Sequence, residues 1–140
     1  MKKVRVTALI ICIIVTISMT GLLVNAGANE GSGQTPEFGT FSWSLGHEVT
    51  HPISRTYNVR VEGITSITKY SAGTTVIVKI EVQDNKTGTP LYTCIDSKTN
   101  APTAKTLTKS NILPHHEFAA FGCHEARGKN AIVRYTCTTF

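Results

Sequence analysis

The chain has 140 residues, 41% of them hydrophobic and 16% charged, and its formal net charge is +5. Three of the 14 basic residues and none of the 9 acidic residues lie in residues 1–26, which leaves 11 basic against 9 acidic residues in the remainder. That near balance argues against nucleic acid or an anionic membrane as the partner. The remainder is long enough for one domain with its own core, but not for two.

The first 26 residues have the three-part pattern of a secretory signal peptide. Lys2, Lys3 and Arg5 precede an uncharged, mostly apolar run over 6–24, and small residues lead to a cleavage site after Ala26. We expect a secreted bacterial protein with no stable membrane span after cleavage. The alternative is an uncleaved anchor, because the run is nearly long enough to span a bilayer. In both cases the remainder lies outside the cytoplasm.

The segment after the cleavage site, 27–37, is rich in glycine and polar residues and has no periodicity. We predict a flexible leader there, followed by a single domain over 38–140.

Apolar and polar residues alternate in several segments of that domain, which predicts strands with one face in the core. The clearest segment is 74–83, where Val76, Val78, Ile80 and Val82 share one face. Further strands are predicted over 40–45, 57–62, 91–95 and 131–138, with a weaker one over 64–70. Turn-forming residues over 84–90 predict that 74–95 is a hairpin with a long loop.

Two later segments are harder to assign. Residues 97–111 are dominated by Thr, Ser, Lys and Asn, which indicates a long surface loop. Residues 114–127 fit a helix that begins near Pro114 and ends before Gly128. They also fit a strand over 117–122 paired with the last strand. We favour the strand because Gly122 would lie in the middle of the helix.

These elements together predict an all-β protein, an antiparallel β-sandwich of about six or seven strands. A short helix near 114–126 is the alternative for that one segment.

Three cysteines, Cys94, Cys123 and Cys137, remain after the predicted cleavage. Outside the cell cysteines usually pair, so an odd number indicates one bridge plus a spare thiol, or a link to a second chain. If Cys123 lies at the turn of the last hairpin, about 20 Å separates it from Cys137. We therefore predict a Cys94–Cys137 bridge, with Cys94–Cys123 as the alternative, in a monomer or a dimer joined through the spare cysteine.

The motif His47-Glu48-Val49-Thr50-His51 matches the H-E-x-x-H signature of zinc peptidases. On a helix, His47 and His51 would bind one Zn²⁺ while Glu48 polarised the bound water as the catalytic residue. The flanking Gly46 and Pro52, together with the β-branched pair inside the motif, disfavour a helix. A zinc hydrolase is therefore an alternative rather than the main hypothesis.

An extended backbone leaves another possibility for the histidines. His47 and His51 would still point the same way, and His116 and His124 could join them as metal ligands, with further help from His115 or Cys123. Imidazole with an optional thiolate suits zinc or copper. The competing interpretation is surface histidines without a ligand role.

We expect the protein to be a secreted binding or interaction module, with recognition by loops at one end of the sandwich. The partner would be a protein or a cell-wall polymer. A metal-binding protein or zinc hydrolase is the first alternative, and a secreted bacteriocin-like toxin is the second.

Overall fold

The structure is a computed structural model, and it describes residues 29–50, 56–108, 111–114 and 117–140. These residues form strands and turns, without a helix. The nine strands are β1 (Glu30–Thr35), β2 (Gly39–Thr50), β3 (Thr56–Ile67), β4 (Thr75–Asp84), β5 (Pro90–Thr99), β6 (Thr103–Leu107), β7 (Asn111–Pro114), β8 (Phe118–Arg127) and β9 (Ala131–Thr139). The predicted all-β class is confirmed, with more strands than the six or seven expected.

The strands form two antiparallel sheets that pack face to face. The first sheet has the order β1-β2-β3-β6, with β7 also paired to β3, and the second has the order β5-β4-β8-β9. Neighbouring strands within each sheet run antiparallel. The predicted sandwich is therefore confirmed.

Strand β4 lies in the middle of the second sheet, between β5 and β8. Its four predicted core side chains, Val76, Val78, Ile80 and Val82, are all buried. The predicted hairpin with β5 is confirmed as well. Its long loop is closed by the Asp84 carboxylate, which accepts hydrogen bonds from the backbone N–H groups of Lys86 and Thr87.

The core consists of two apolar clusters with a polar layer between them. One cluster joins Leu45, Val59 and Val61 of the first sheet to Ile80, Val82, Phe118 and Ala120 of the second. The other joins Phe38, Phe41, Ile67 and Ala104 to Val76, Val78 and Ala126. Between the clusters, the inner faces of β3, β8 and β9 carry Gly63, Thr65, Gly122, His124 and Thr136.

The predicted flexible leader, 27–37, contains a strand that the sequence pattern missed. Strand β1 pairs with β2 over its whole length although its sequence is Glu-Gly-Ser-Gly-Gln-Thr. Gly31 faces Trp43 across this pair, and a Cβ atom on Gly31 would lie 2.6 Å from the indole Cζ2. The glycine that suggested flexibility therefore makes room for the one tryptophan.

Two predicted interruptions of the strands, one between 57–62 and 64–70 and one over 97–111, differ from the structure. Strand β3 continues through Gly63, where a Cβ atom would lie 2.8 Å from Val78 Cγ2. The predicted loop over 97–111 holds the end of β5, a turn at Asn100 with φ of 57°, and strand β6. Its inner face carries Ala104 and threonines rather than large aliphatic residues, so no apolar period marks it.

The segment over 114–127 is the strand β8 within its described part, so the helix alternative is wrong. The pairing of β8 with β9 is confirmed, but β8 extends to Arg127 instead of ending near Gly122. Gly122 faces the core, where a Cβ atom would lie 2.7 Å from His124 Nε2. This glycine serves packing between strands and is not a turn residue.

Candidate functional site

The H-E-x-x-H motif begins in strand β2, which ends at Thr50, so the helix that the zinc-peptidase chemistry needs is absent. His47 lies on the inner side of β2 with Leu45, whereas Glu48 lies on the outer side. Glu48 faces Arg60 with a separation of 3.9 Å between the charged groups, and both side chains are exposed. Glu48 therefore points away from the side of the sheet on which His47 lies, and this strand does not provide the geometry on which its predicted catalytic role depends.

His47 lies at the rim of the sandwich rather than in a ligand cluster. Its ring stacks on Phe140 with centroids 4.9 Å apart, and its Nδ1 lies 3.3 Å from Thr138 Oγ1. Three other histidines that were predicted as metal ligands, His51, His115 and His116, lie outside the described residues.

His124 is fully buried in the polar layer of the core. Its Nδ1 lies 3.0 Å from Thr65 Oγ1 on the first sheet, and its Nε2 lies 2.9 Å from Thr136 Oγ1 on the neighbouring strand. A neutral imidazole donates through one nitrogen and accepts through the other, so one threonine accepts while the other donates. Burial lowers the pKa of His124 to about 4, and a hydrogen bond with the backbone of Ile64 opposes that shift.

This geometry separates the two described histidines that the sequence grouped as metal ligands. His47 contacts Thr138 and His124 contacts Thr136, and those threonines are about 7 Å apart along β9. Both ring nitrogens of His124 already have hydrogen-bond partners. Among the described residues, no group of three or more His, Cys, Asp or Glu side chains is arranged to hold a metal ion.

The predicted disulfides are corrected by the sheet register. Cys94 pairs with Ile80 and faces inward, whereas Cys123 and Cys137 face outward on β8 and β9. Two strands lie between Cys94 and Cys137, and one lies between Cys94 and Cys123. With the cysteines on opposite faces and about 10 Å or more between their strands, neither predicted bridge is present in this structure. All three described cysteines are thiols.

Cys123 also lies much closer to Cys137 than the predicted hairpin placed it. Because β8 continues beyond Cys123, this residue pairs with Tyr135, and Cys137 pairs with Phe121. The two cysteines are thus diagonal neighbours on the outer side of the second sheet, although no disulfide joins them.

That outer side is unusually apolar for a solvent-facing sheet. In the middle row of this outer side, Lys79 of β4 pairs with Ile95 of β5 and with Cys123 of β8. Cys123 in turn pairs with Tyr135 of β9. One adjacent row adds Phe121 with Cys137, and the other adds Ile77 and Val133, which pair with Glu125 from either side. We call this surface the outer apolar face, and it consists of Ile77, Ile95, Phe121, Cys123, Val133, Tyr135 and Cys137.

Ile95 is the most exposed large apolar side chain of the face, with 65% of its surface accessible. Ile77, Phe121 and Tyr135 are half-buried, while Val133 is buried among its neighbours. The face is therefore accessible at its centre and at its β5 edge.

The outer side of the first sheet provides the contrast. Apart from Ile64 and Leu107, its described side chains are polar or charged, and they include Ser32, Ser42, Ser44 and Ser66. It also carries the ion pair between Lys105 and Glu62, 2.7 Å apart. The two outer surfaces of the sandwich thus differ in chemistry. Among the residues described, only the second sheet carries an outward aliphatic or aromatic side chain on each of its four strands, with Lys79 and Glu125 between some of them.

The sequence contained part of the signal for this face. Val133, Tyr135 and Cys137 occupy alternate positions of the predicted last strand, and they share its outer face. Ile77 lies out of phase with the buried residues of β4, and Phe121 lies out of phase with Phe118. Apolar residues on both phases of a strand indicate that both of its faces carry apolar surface. Which phase faces outward depends on the sheet pairing.

No stretch of the described residues forms a helix with the length and apolar character needed to cross a membrane. In comparisons with known proteins, neither a family model nor a curated protein nor a solved structure matches the chain.

Proposed function

We propose that this protein is an exported binding module that contacts a protein partner through the outer apolar face. The signal-like pattern of residues 1–26 supports export. The position of binding differs from the loop-mediated recognition that the sequence suggested, because the outer apolar face combines apolar side chains from four strands.

The observation that carries the proposal is the difference between the two outer surfaces. A sandwich buries the inner face of each sheet, and the outer faces then meet water. The outer side of the first sheet has the polar composition that water favours. The outer apolar face instead exposes Ile95 at the β5 edge and carries half-buried Ile77 on β4 and Phe121 on β8. Contiguous apolar patches on soluble proteins mark interaction sites.

The side chains of the face also suit a protein partner better than a sugar polymer. A protein interface combines aromatic residues at its centre with few charges. Phe121 lies on the inner strand β8 and Tyr135 on the neighbouring edge strand β9, and Lys79 lies between Ile95 and Cys123 in one row. Polysaccharide recognition would need an aromatic platform surrounded by hydrogen-bonding groups, whereas the pair partners of Phe121 and Tyr135 on β9 and β8 are the thiols Cys137 and Cys123.

Site-specific photo-cross-linking in producing cells tests the proposal. A photo-reactive phenylalanine analogue replaces Ile95 in one variant and Leu107 in a matched control. Leu107 is an aliphatic residue on an edge strand of the polar surface, and 39% of its surface is accessible. We expect a defined protein adduct from position 95 and none from position 107. Equal labelling from both positions, or no adduct from 95, would contradict the proposal.

A further inference from the structure

We infer that the partner on the outer apolar face is a second copy of this chain, so that two sandwiches pack through their β5-β4-β8-β9 sheets. This inference rests on the proposed function and names the occupant of the same surface. Three properties of the face support it: its charge balance, its size and the chemistry of its side chains.

The charged groups of the face balance one another. Lys79 lies 3.9 Å from Glu81 on β4, and Arg127 pairs with Glu125 on β8. The outward positions of β5 and β9 carry no charge within their described ranges. Two cations and two anions make the outer side of this sheet neutral, in keeping with the near balance of charges after residue 26.

A neutral face is what a second copy requires. A strongly acidic or strongly basic partner would find no opposite charge there, and specific interfaces bring complementary potentials together. Two copies of the face meet without accumulating like charge. In addition, each acid already has a base two residues away on its own strand, so covering the pairs leaves no lone charge buried.

The size of the face fits a dimer. The whole outer side of this sheet, which surrounds the face, has four strands at a spacing of about 4.8 Å and about five outward positions per strand, a rectangle of roughly 20 by 30 Å, on the order of 600 Å². Side-chain relief increases the accessible area beyond that plane. Stable protein interfaces bury about 800 Å² per partner, so most of the face would be covered.

The side chains match those that already pack between the sheets of one chain. Isoleucine, valine and phenylalanine fill the interior at an inter-sheet distance of about 10 Å. The same residue types stand on the outer apolar face, and a copy of the face provides a partner of equal flatness and side-chain length. In a closed two-fold dimer each face is covered by the other, which leaves no copy of the patch exposed.

Sedimentation of protein purified from expression of the full chain tests the inference, with Ile95→Lys and Leu107→Lys as a matched pair. Ile95 is exposed, so lysine is accommodated in the monomer fold, which far-ultraviolet circular dichroism checks. We expect a dimer at micromolar concentration, weakened roughly tenfold or more by Ile95→Lys. Leu107→Lys should leave the dimer unchanged.

Thiol reactivity provides a second measurement. Cys123 and Cys137 stand on the face, and a dimer would cover both. Their reaction with a water-soluble disulfide reagent should slow as the wild-type concentration rises, and this dependence should vanish in Ile95→Lys.

The combined outcomes separate this inference from the proposed function. A concentration-dependent dimer whose cross-link from position 95 has twice the chain mass supports both. A monomer at all concentrations with a cross-link from 95 to a different protein overturns the inference while the proposed function stands. A monomer without any adduct from 95 overturns both, and a dimer that Ile95→Lys does not weaken places the contact elsewhere and overturns the inference.

Discussion

Thr65 of strand β3 and His124 of strand β8 connect the two sheets through a hydrogen bond of 3.0 Å inside the core. Both residues are completely buried, and the second nitrogen of the His124 ring forms a hydrogen bond with Thr136 Oγ1. Gly122 leaves the space in which the ring and Thr136 meet. A polar layer of this kind specifies how one sheet lies over the other, because each buried polar group loses its partner if the sheets shift.

The first prediction concerns the decrease in folding stability at acidic pH. The pKa of His124 is lowered by burial to about 4 in the folded protein, against 6.5 for an ordinary histidine. Below pH 6.5 the unfolded chain therefore binds a proton that the folded protein does not. The contribution of this residue to the free energy of unfolding is fully present above pH 6.5 and falls as the pH drops to about 4. The loss is about 3 kcal/mol.

Urea unfolding between pH 4 and 7 measures this loss. Carboxylates also titrate at the acid end, so the relevant quantity is the difference between the wild type and His124→Gln at each pH. That difference should shrink as the pH decreases. If the two proteins respond equally to acid, His124 does not carry the effect.

The second prediction concerns the hydroxyl partner on β9. Thr136→Val keeps the side-chain shape but removes the hydroxyl 2.9 Å from His124 Nε2. A buried ring nitrogen without a partner costs about 1–3 kcal/mol of the free energy of unfolding. We expect this loss in the wild type and a smaller one when His124 is already leucine. A double-mutant cycle measured by chemical unfolding gives the coupling, and purely additive effects would contradict the contact.

The sequence predicts much of this fold because strand β4 places a large aliphatic residue at every second position of one face. It fails at β1 and β6, whose inward positions are filled by glycine, alanine and threonine. Contacts with neighbouring strands stabilise β1 and β6. Gly31 of β1 accommodates Trp43, and directly after β6 the Oγ1 atom of Thr108 accepts a hydrogen bond from Val61 N at 2.9 Å. Neither contact leaves a periodic trace in the local sequence.

The candidate site was less predictable for a related reason. The histidine motif is defined by spacing alone, and the strand places His47 and Glu48 on opposite sides of the sheet. The outer apolar face combines residues from four strands, and its continuity depends on the register between them. A register shift of one residue would turn Phe121 and Tyr135 into the core.

The third prediction concerns the end of the sandwich where Glu37 joins two turns. Its carboxylate accepts hydrogen bonds from the backbone N–H groups of Lys129 and Asn130 and from the Asn130 side chain. The Asn130 amide is the largest of the influences that lower the pKa of Glu37. Glu37→Ala should therefore lower the melting temperature at neutral pH. Because the folded pKa is lowered, this stabilisation is present above the ordinary pKa of the carboxyl and is lost as the pH falls below it.

Gly128 supplies the matched test of that contact. A Cβ atom on Gly128 would overlap the Glu37 carboxylate and lie 3.2 Å from Phe38 Cε1. Gly128→Ala should lower the melting temperature in the wild type and lower it less in the Glu37→Ala background. Equal effects in the two backgrounds would show that the carboxylate does not occupy this position.

The fourth prediction concerns oxidation. Cys94 faces the interior of the sandwich, while Cys123 and Cys137 share the outer apolar face. Within one folded chain, Cys94 should therefore form no bridge to either of the others. Peptide mapping by mass spectrometry after mild oxidation of the native protein measures this, with denatured protein as the control. An intramolecular bridge that contains Cys94 in the native sample would contradict the register of the second sheet.

The last prediction uses Trp43, the one tryptophan of the chain, as a fluorescent reporter of the β1 edge. Its ring lies against Gly31 on one strand, and the Arg134 guanidinium lies 5.6 Å from its centroid. Gly31→Val places methyl groups where the indole now lies, so the ring must move toward water. We expect a red shift of the emission maximum, together with a lower melting temperature. Gly33→Val is the control, since a Cβ atom on Gly33 meets nothing within 4 Å, and it should leave the emission unchanged. If both variants behave alike, β1 does not pack against Trp43 in the register described, and the residues before 37 would be a leader after all.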